Sequence, residues 1–426
     1  MHKLKMTDIL NEKLWINRLS NGMHCYIIPK KDYVEKQAVI SINYGSVDTS
    51  FEINDKMVNI PDGAAHFLEH KLFEDEEKNI FDAFTKQGGQ ANAFTNFNTT
   101  AYYFRCSENF TQNLKLLLEF TATPYFTDEN VEKEKGIITQ EIKMYEDNPC
   151  WRAFLNMQKE MYSSYPVYKN ISGSAESVAQ MTADILIKCY NAFYCPNNMA
   201  LICVGDVEPD LIYALAEEKS SYTANKAVKK QVFQEPPNVK NRYVEEKMSM
   251  SQPLFKIGFK DNDIKMPIAE RIVSSRLLMD IVAGESSDFF YSLYDKGLLS
   301  NPFGMEYMGS NAHGTAIFSG ASDDPVAVNN SIMEQLRKLK EVGINNSRFE
   351  QIKKKHIGRY IRSFNVIDNI ATGQADLFSK GIDLFDLINA YKAATVETIQ
   401  NRLLSLLDEN ISVLSVIKPL DETVSG

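Results

Sequence analysis

The segment Ala65-His66-Phe67-Leu68-Glu69-His70-Lys71 places two imidazoles and a carboxylate within one short stretch. On an α-helix turning about 100° per residue, His70 stands about 40° from His66, and Glu69 about 60° to the other side. The three groups then share one side of the helix, while Phe67 and Leu68 turn away and can anchor it. Imidazoles at i and i+4 can share one tetrahedral zinc ion through nitrogen. A carboxylate beside that ion serves better as a general base than as a ligand. Zinc brings the pKa of a bound water toward about 7, so Glu69 can take its proton at neutral pH. The order H-x-x-E-H is the inverted form of the zinc-peptidase signature. Paired histidines on a helix can also be plain surface residues, but the chain has only six in all, which makes chance pairing here a poor explanation.

Such a site needs a third protein ligand and one open position. Asp128–Glu146 reads as a helix, with Glu134 and Glu141 two turns apart on one face and Ile137 and Ile138 between them. A carboxylate at a partly apolar interface needs a partner, and zinc is a suitable one. The expectation is therefore one Zn2+ held by His66, His70 and Glu141. Glu69 is the base, and Glu134 assists catalysis by orienting the site. Taken alone, two glutamates on a helix would be a solvated acidic face.

Downstream, Gly89-Gln90-Ala91-Asn92-Ala93-Phe94-Thr95 reads as a strand next to the site. An extended peptide can add to a sheet edge, main chain to main chain, which makes Asn92, Ala93, Phe94 and Thr95 candidate substrate contacts. That scheme selects conformation and length more than sequence. Without its context the segment is only a strand.

The elements that must position these residues follow from periodicity. Met23–Pro29 and Ala38–Tyr44 alternate as strands, and a helix is expected from about Asp62 through Phe73. Ala91–Phe97 and Thr100–Cys106 are further strands, followed by helices over Phe110–Thr121, Asp128–Glu146 and roughly Trp151–Tyr162. Ala183–Tyr194 and Met199–Val204 close the first half as helix and strand. Residues 1–220 then form a zinc-bearing domain, the polar stretch 221–250 around Pro236-Pro237 a linker, and residues 251–426 a second domain. The halves look like divergent copies: one and the same interval separates Val131 from Phe349 and Glu141 from Arg359. That interval carries His66, Glu69 and His70 onto Gly284, Ser287 and Asp288, so the second copy lacks the metal-type residues. Grouped strands and helices point to two homologous α+β domains, each a mostly antiparallel sheet with helices packed on it.

Composition narrows the rest. A net charge of −10 argues against a nucleic-acid partner, and Lys353-Lys354-Lys355-His356 reads as a solvated helix face. No apolar run reaches the roughly 18–20 residues that span a bilayer. The first residues lack a secretory hydrophobic stretch, so no membrane partner and a cytoplasmic location are expected. Six cysteines with no C-x-x-C spacing build neither a disulfide scaffold nor a thiolate zinc site. Cys25 and Cys203 read as core residues.

The chain resembles the pitrilysin or insulinase family of metallopeptidases and, more narrowly through Leu293–Tyr307 and Tyr165–Thr182, its short bacterial, processing-protease-like subunits. The resemblance rests on His66-Phe67-Leu68-Glu69-His70, on the Glu134/Glu141 spacing and on Asn92-Ala93-Phe94-Thr95. It continues through Phe193-Tyr194-Cys195-Pro196-Asn197-Asn198-Met199 and Val204-Gly205-Asp206-Val207. It implies zinc on His66, His70 and Glu141, Glu69 as base, substrate on Asn92–Thr95, and paired chains closing like a clam around a peptide chamber. Active members carry an Arg and a Tyr seven apart around a Gly-Leu. Here Leu293-Tyr294-Asp295-Lys296-Gly297-Leu298-Leu299-Ser300 has neither in register. A homologous partner supplying both, in a heterodimer, is the expectation, with a homodimer as the other arrangement.

Three functions compete. The first is a zinc endopeptidase acting on peptides or small unfolded proteins, in degradation or in peptide maturation. The second is a non-catalytic peptide-binding or scaffold subunit, which has no physical need to keep His66, Glu69, His70 and Glu141 together. The third is a hydrolase of non-peptide amides, disfavoured by an edge strand suited to main-chain contacts.

Overall fold

The structure, a computed structural model, describes residues 3–420 apart from 54, 77–78, 221 and 223–227. Two compact units are present, and neither is a continuous stretch of chain. The first comprises Met1–Ile142, Lys169–Val232 and Tyr360–Phe385; the second comprises Lys143–Tyr168, Phe233–Arg359 and Asp386–Gly426.

In the first unit the strands are β1 (Lys3–Met6), β2 (Lys13–Arg18), β3 (His24–Pro29), β4 (Lys36–Ile42), β5 (Ser50–Ile53), β6 (Lys56–Asn59), β7 (Gly89–Thr95), β8 (Thr100–Cys106) and β9 (Met199–Gly205). Seven of them form one sheet in the order β1-β2-β3-β9-β4-β8-β7, while β5 and β6 pair separately. Within that sheet only β3 and β9 run parallel. Four helices matter most here: α1 (Ala64–Leu72), α2 (Ile80–Lys86), α3 (Phe110–Ala122) and α4 (Asp128–Glu146). Ala38, Ile40 and Ile42 of β4 join the core that includes Phe67, Leu68, Leu114 and Leu117. The opposite face of β4 is covered by the helix Ile367–Ser379, where the Ser41 hydroxyl donates to the Ala375 carbonyl at 2.9 Å. With both faces covered, β4 and β9 are buried almost throughout, as central strands must be.

In the second unit β10 (Tyr243–Met248), β11 (Leu254–Lys260), β12 (Ser300–Gly309), β13 (Gly314–Ala321) and β14 (Ser412–Pro419) pair in the order β10-β14-β11-β13-β12. Here too one pair, β10 with β14, is parallel and the rest antiparallel. The order matches β3-β9-β4-β8-β7 of the first unit, so the two sheets are copies in topology. Helix α5 (Pro149–Met161) packs on β11 and β14 through a face that includes Phe154 and Met157.

These units correct the contiguous division at 220 and 251. A sequence reading assigns each helix to its nearest strands. Here α5 carries its apolar face to the second sheet, and Ile367–Ser379 lies on the first. The expected linker 221–250 also contains β10, whose alternating exposure hides a strand among charged residues; residues 221 and 223–227 lie outside the described residues. The basic run is likewise not a solvated face. Lys355 and His356 both meet the buried Asp280, at 2.7 and 2.8 Å, and Lys353 donates to the carbonyls of Lys392 and Ala394. All six cysteines are free, with Cys25 and Cys203 buried. Among the described residues no helix is long and apolar enough to cross a membrane.

Candidate metal centre

Helix α1 starts abruptly at Gly63. This residue has φ of +87°, and a Cβ there would stand 2.4 Å from the Ser172 carbonyl oxygen, so only glycine fits. From that fixed start Phe67, Leu68 and Leu72 enter the core, which turns His66, Glu69 and His70 to the other side. Helix α4 docks through Val131, Glu134, Ile138 and Ile142. Of the two isoleucines expected between the glutamates, Ile138 is buried and Ile137 is 49% exposed, so the shared face is narrower than its sequence suggests.

The two helices bring three donors together. Nε2 of His66 stands 3.4 Å from Oε1 of Glu141, and Nε2 of His70 stands 3.5 Å from its Oε2. Donors bound tetrahedrally at about 2.0–2.1 Å stand about 3.3 Å apart, so the observed separations suit one small divalent ion. The ligand atoms of His66, His70 and Glu141 all fall within 4.8 Å of one another, and no other such cluster occurs among the described residues. Two imidazole nitrogens and one carboxylate oxygen are a donor set that zinc accepts.

Supporting contacts surround the three. Nδ1 of His70 lies 3.0 Å from Oε1 of the buried Glu134. An ionised carboxylate only accepts, so Nδ1 carries a proton, and in the neutral ring this leaves the lone pair on Nε2 for a metal. Glu69 does not join the cluster. Its Oε2 accepts a hydrogen bond of 2.6 Å from the Thr95 hydroxyl. Burial pushes the Glu69 carboxyl above its ordinary range, against His66, Thr95 and His70, which pull it down. Glu141 is held low, first by its hydrogen bond with His66. Raised and lowered carboxyls side by side suit a proton-transferring group next to a coordinating one.

Of the strand residues, Asn92 is exposed and Ala93, Phe94 and Thr95 are half-buried. Strand β7 is the last in its sheet and pairs only with β8. The Asn96 amide donates to the Thr99 carbonyl at the hairpin end. Pairs then alternate from there, leaving the main-chain groups of Thr95, Ala93 and Ala91 pointing outward. The Ala93 amide is met by its neighbour's side chain, Oδ1 of Asn92, at 2.8 Å. Glu69, His70, Asn92 and Ala93 line one cleft of about 930 Å³.

Two features escape a sequence reading. One is the Thr95–Glu69 bond, which joins a strand to a helix. The other is Lys71, fully buried beside His70; a lysine continuing an apolar helix face is the available signal.

Residues 54–175 match the insulinase family of peptidases (peptidase family M16), and residues 180–355 match the M16 inactive domain. A Bacillus subtilis protein named as an uncharacterized zinc protease, YmfH, is 37% identical over 400 residues, covering 92% of this chain and 93% of its own. This chain belongs to peptidase family M16. An M16-like peptidase from Alicyclobacillus acidocaldarius shares the fold of this M16 chain with a TM-score of 0.92 and 32% identity, over 96% of this chain and 99% of its own. Pitrilysin matches with a TM-score of 0.78 over 99% of this chain and 46% of its own; at 17% identity that likeness is one of fold. The inactive-domain match falls largely on the copy without the metal-type residues.

Proposed function

We propose that this M16 chain is the zinc-bearing subunit of an endopeptidase, with His66, His70 and Glu141 holding the ion and Glu69 as general base. The observation that carries the reading is the convergence of those three ligand atoms beside a carboxylate that does not ligate. Zinc protease names among the relatives support the choice of metal. Zinc supplies Lewis acidity there, acidifying water and polarising a carbonyl. Glu69 takes a proton from water and returns it to the departing amine, while Thr95 fixes its second oxygen. Glu134 holds His70 in the tautomer that leaves Nε2 free. The outward amide and carbonyl groups of Ala91, Ala93 and Thr95 hold an extended peptide, and the Asn92 side chain swings off the Ala93 amide to admit it. Asn92 and Phe94 flank that peptide.

Glu69→Gln is the decisive variant. It should keep zinc, measured by metal analysis, and lose peptide cleavage. Cleavage undiminished in a zinc-loaded Glu69→Gln chain would overturn Glu69 as the base, and wild type that binds peptide yet never cleaves it, alone or with a homologous partner, would leave a peptide-binding scaffold.

The working unit is a heterodimer in which a homologous chain supplies the missing Arg and Tyr. Tyr294 lies in the helix Asp288–Asp295 and Gly297 just beyond it, and no arginine lies within Leu293–Ser300. The isolated chain should then bind zinc yet cleave a peptide library poorly, and gain activity with a co-purified homologue. Full activity of the chain alone, as a monomer or a homodimer, rules this arrangement out.

A further inference from the structure

Lys71 has no exposed surface, although it follows His70 on the metal-bearing helix. A buried ammonium is unfavourable unless its charge is matched. Three groups meet it. Lys71 forms an ion pair with Oε2 of Glu74, donates to the Asn130 carbonyl at 3.1 Å, and stands 3.9 Å from Oε2 of Glu134. The last distance is too long for a hydrogen bond but close enough for attraction between charges. The other oxygen of Glu134 is the one that receives Nδ1 of His70. A chain of charge thus runs from Lys71 on α1 to Glu134 on α4 and back to His70 on α1. Asn130, Glu134 and the candidate ligand Glu141 all belong to α4, so the same ammonium grips the helix that brings in the third donor.

We propose that Lys71 is a positioning residue of the metal centre. It draws the Glu134 carboxylate into place, so that His70 presents Nε2 to the ion, and through the Asn130 carbonyl it keeps α4 where Glu141 can reach. This rests on the zinc reading above and names a determinant of zinc affinity that is neither a ligand nor in contact with one through its own side chain. Charge alone predicts the reverse effect, because removing a cation near a divalent ion should tighten binding. The sign of the change therefore separates positioning from simple repulsion.

The test uses the full chain and zinc itself, with affinity read by competition against a chromophoric chelator. Lys71→Met should weaken zinc binding by about 10–100-fold, the loss usual when a ligand's outer partner is removed, and Lys71→Arg should recover part of it. Glu134→Gln should weaken it to a similar degree. The double variant should lose less than the sum of the two single losses, because both changes break the same Lys71–Glu134 step. If Lys71→Met does not fold, Lys71→Gln, which keeps a donor without the charge, carries the same expectation. Zinc affinity unchanged or increased in either variant, or losses that add in the double, would overturn the proposal. A wild-type chain that binds no zinc at all overturns the zinc reading itself, a result distinct from those.

Discussion

The Thr95 hydroxyl donates to Oε2 of Glu69 across 2.6 Å, linking the edge strand to the helix that carries two of the candidate metal ligands. The residue beside which a peptide would lie is thereby the one that holds the candidate base. A hydrogen bond to a charged group is worth about 1.5–3 kcal/mol. Thr95→Val should lower kcat by about 10–100-fold with little change in KM, since the strand's main chain is untouched. Thr95→Ser should retain most of the rate. Steady-state kinetics on one peptide checks both; a rise in KM alone would assign Thr95 to substrate binding only.

Gly63 sets where α1 begins. Gly63→Ala forces a side chain into the left-handed region, at about 1–2 kcal/mol, and drives Cβ against the Ser172 carbonyl. The variant should melt earlier than wild type and carry less zinc after dialysis. Normal zinc content with a lowered midpoint would mean that α1 tolerates the displacement.

In the second unit Asp261 has no exposed side-chain surface and pairs with Arg402, with Tyr307 and Arg271 alongside. Asp261→Asn leaves buried Arg271 without its carboxylate and buried Arg402 with only the more distant Asp263, at 4.0 Å. The expected loss is about 3–5 kcal/mol. Trp151 lies in this unit and Trp15 in the other, so urea unfolding followed by fluorescence in a Trp15→Phe background reports on it. A shift below about 1 kcal/mol would show that the cluster relaxes or hydrates.

The same cluster sets an acid limit. Burial works to raise the Asp261 carboxyl, but the Arg402 hydrogen bonds and charge overcome it and hold it below its ordinary range; at Asp280, His356 and Lys355 do the same. Unfolded aspartate titrates near about 3.9. The stabilisation is therefore complete above that pH and is lost as pH falls through the lower folded-state values. Urea midpoints of the second unit should fall steeply below about pH 4, and less steeply in Asp261→Asn. Identical acid slopes for both proteins would exclude Asp261 as a source.

Helices α1 and α4 are legible in the sequence because a short-range rule governs them. His66 and His70 are one turn apart, and Asp128–Glu146 has the bounds its periodicity predicts. The internal repeat is legible where the copies keep length. The starts of β4 and β11 are separated by the same interval as those of α4 and the helix Asn346–Ser363, the one that relates Val131 to Phe349. The repeat fails at α1, because the same interval carries His66 and Glu69 onto Gly284 and Ser287, between the helices Ile268–Ala283 and Asp288–Asp295, and His70 onto the first residue of the latter. Long-range relationships are not legible. Nothing local in Tyr243–Met248 reveals that Ser412–Pro419 will pair beside it, and nothing in Lys355 or His356 reveals a buried Asp280 opposite.

The placement of Ile367–Ser379 on the first sheet bears on synthesis. Once the ribosome has added Val232, every strand of that sheet exists, yet the face bearing Ser41 still waits for a helix that begins only at Ile367. The nascent sheet must survive that interval with apolar surface uncovered, the circumstance in which chains aggregate or recruit chaperones. Expressing residues 1–220 as a separate fragment should for the same reason yield insoluble protein, and supplying residues 360–385 in trans is the natural rescue.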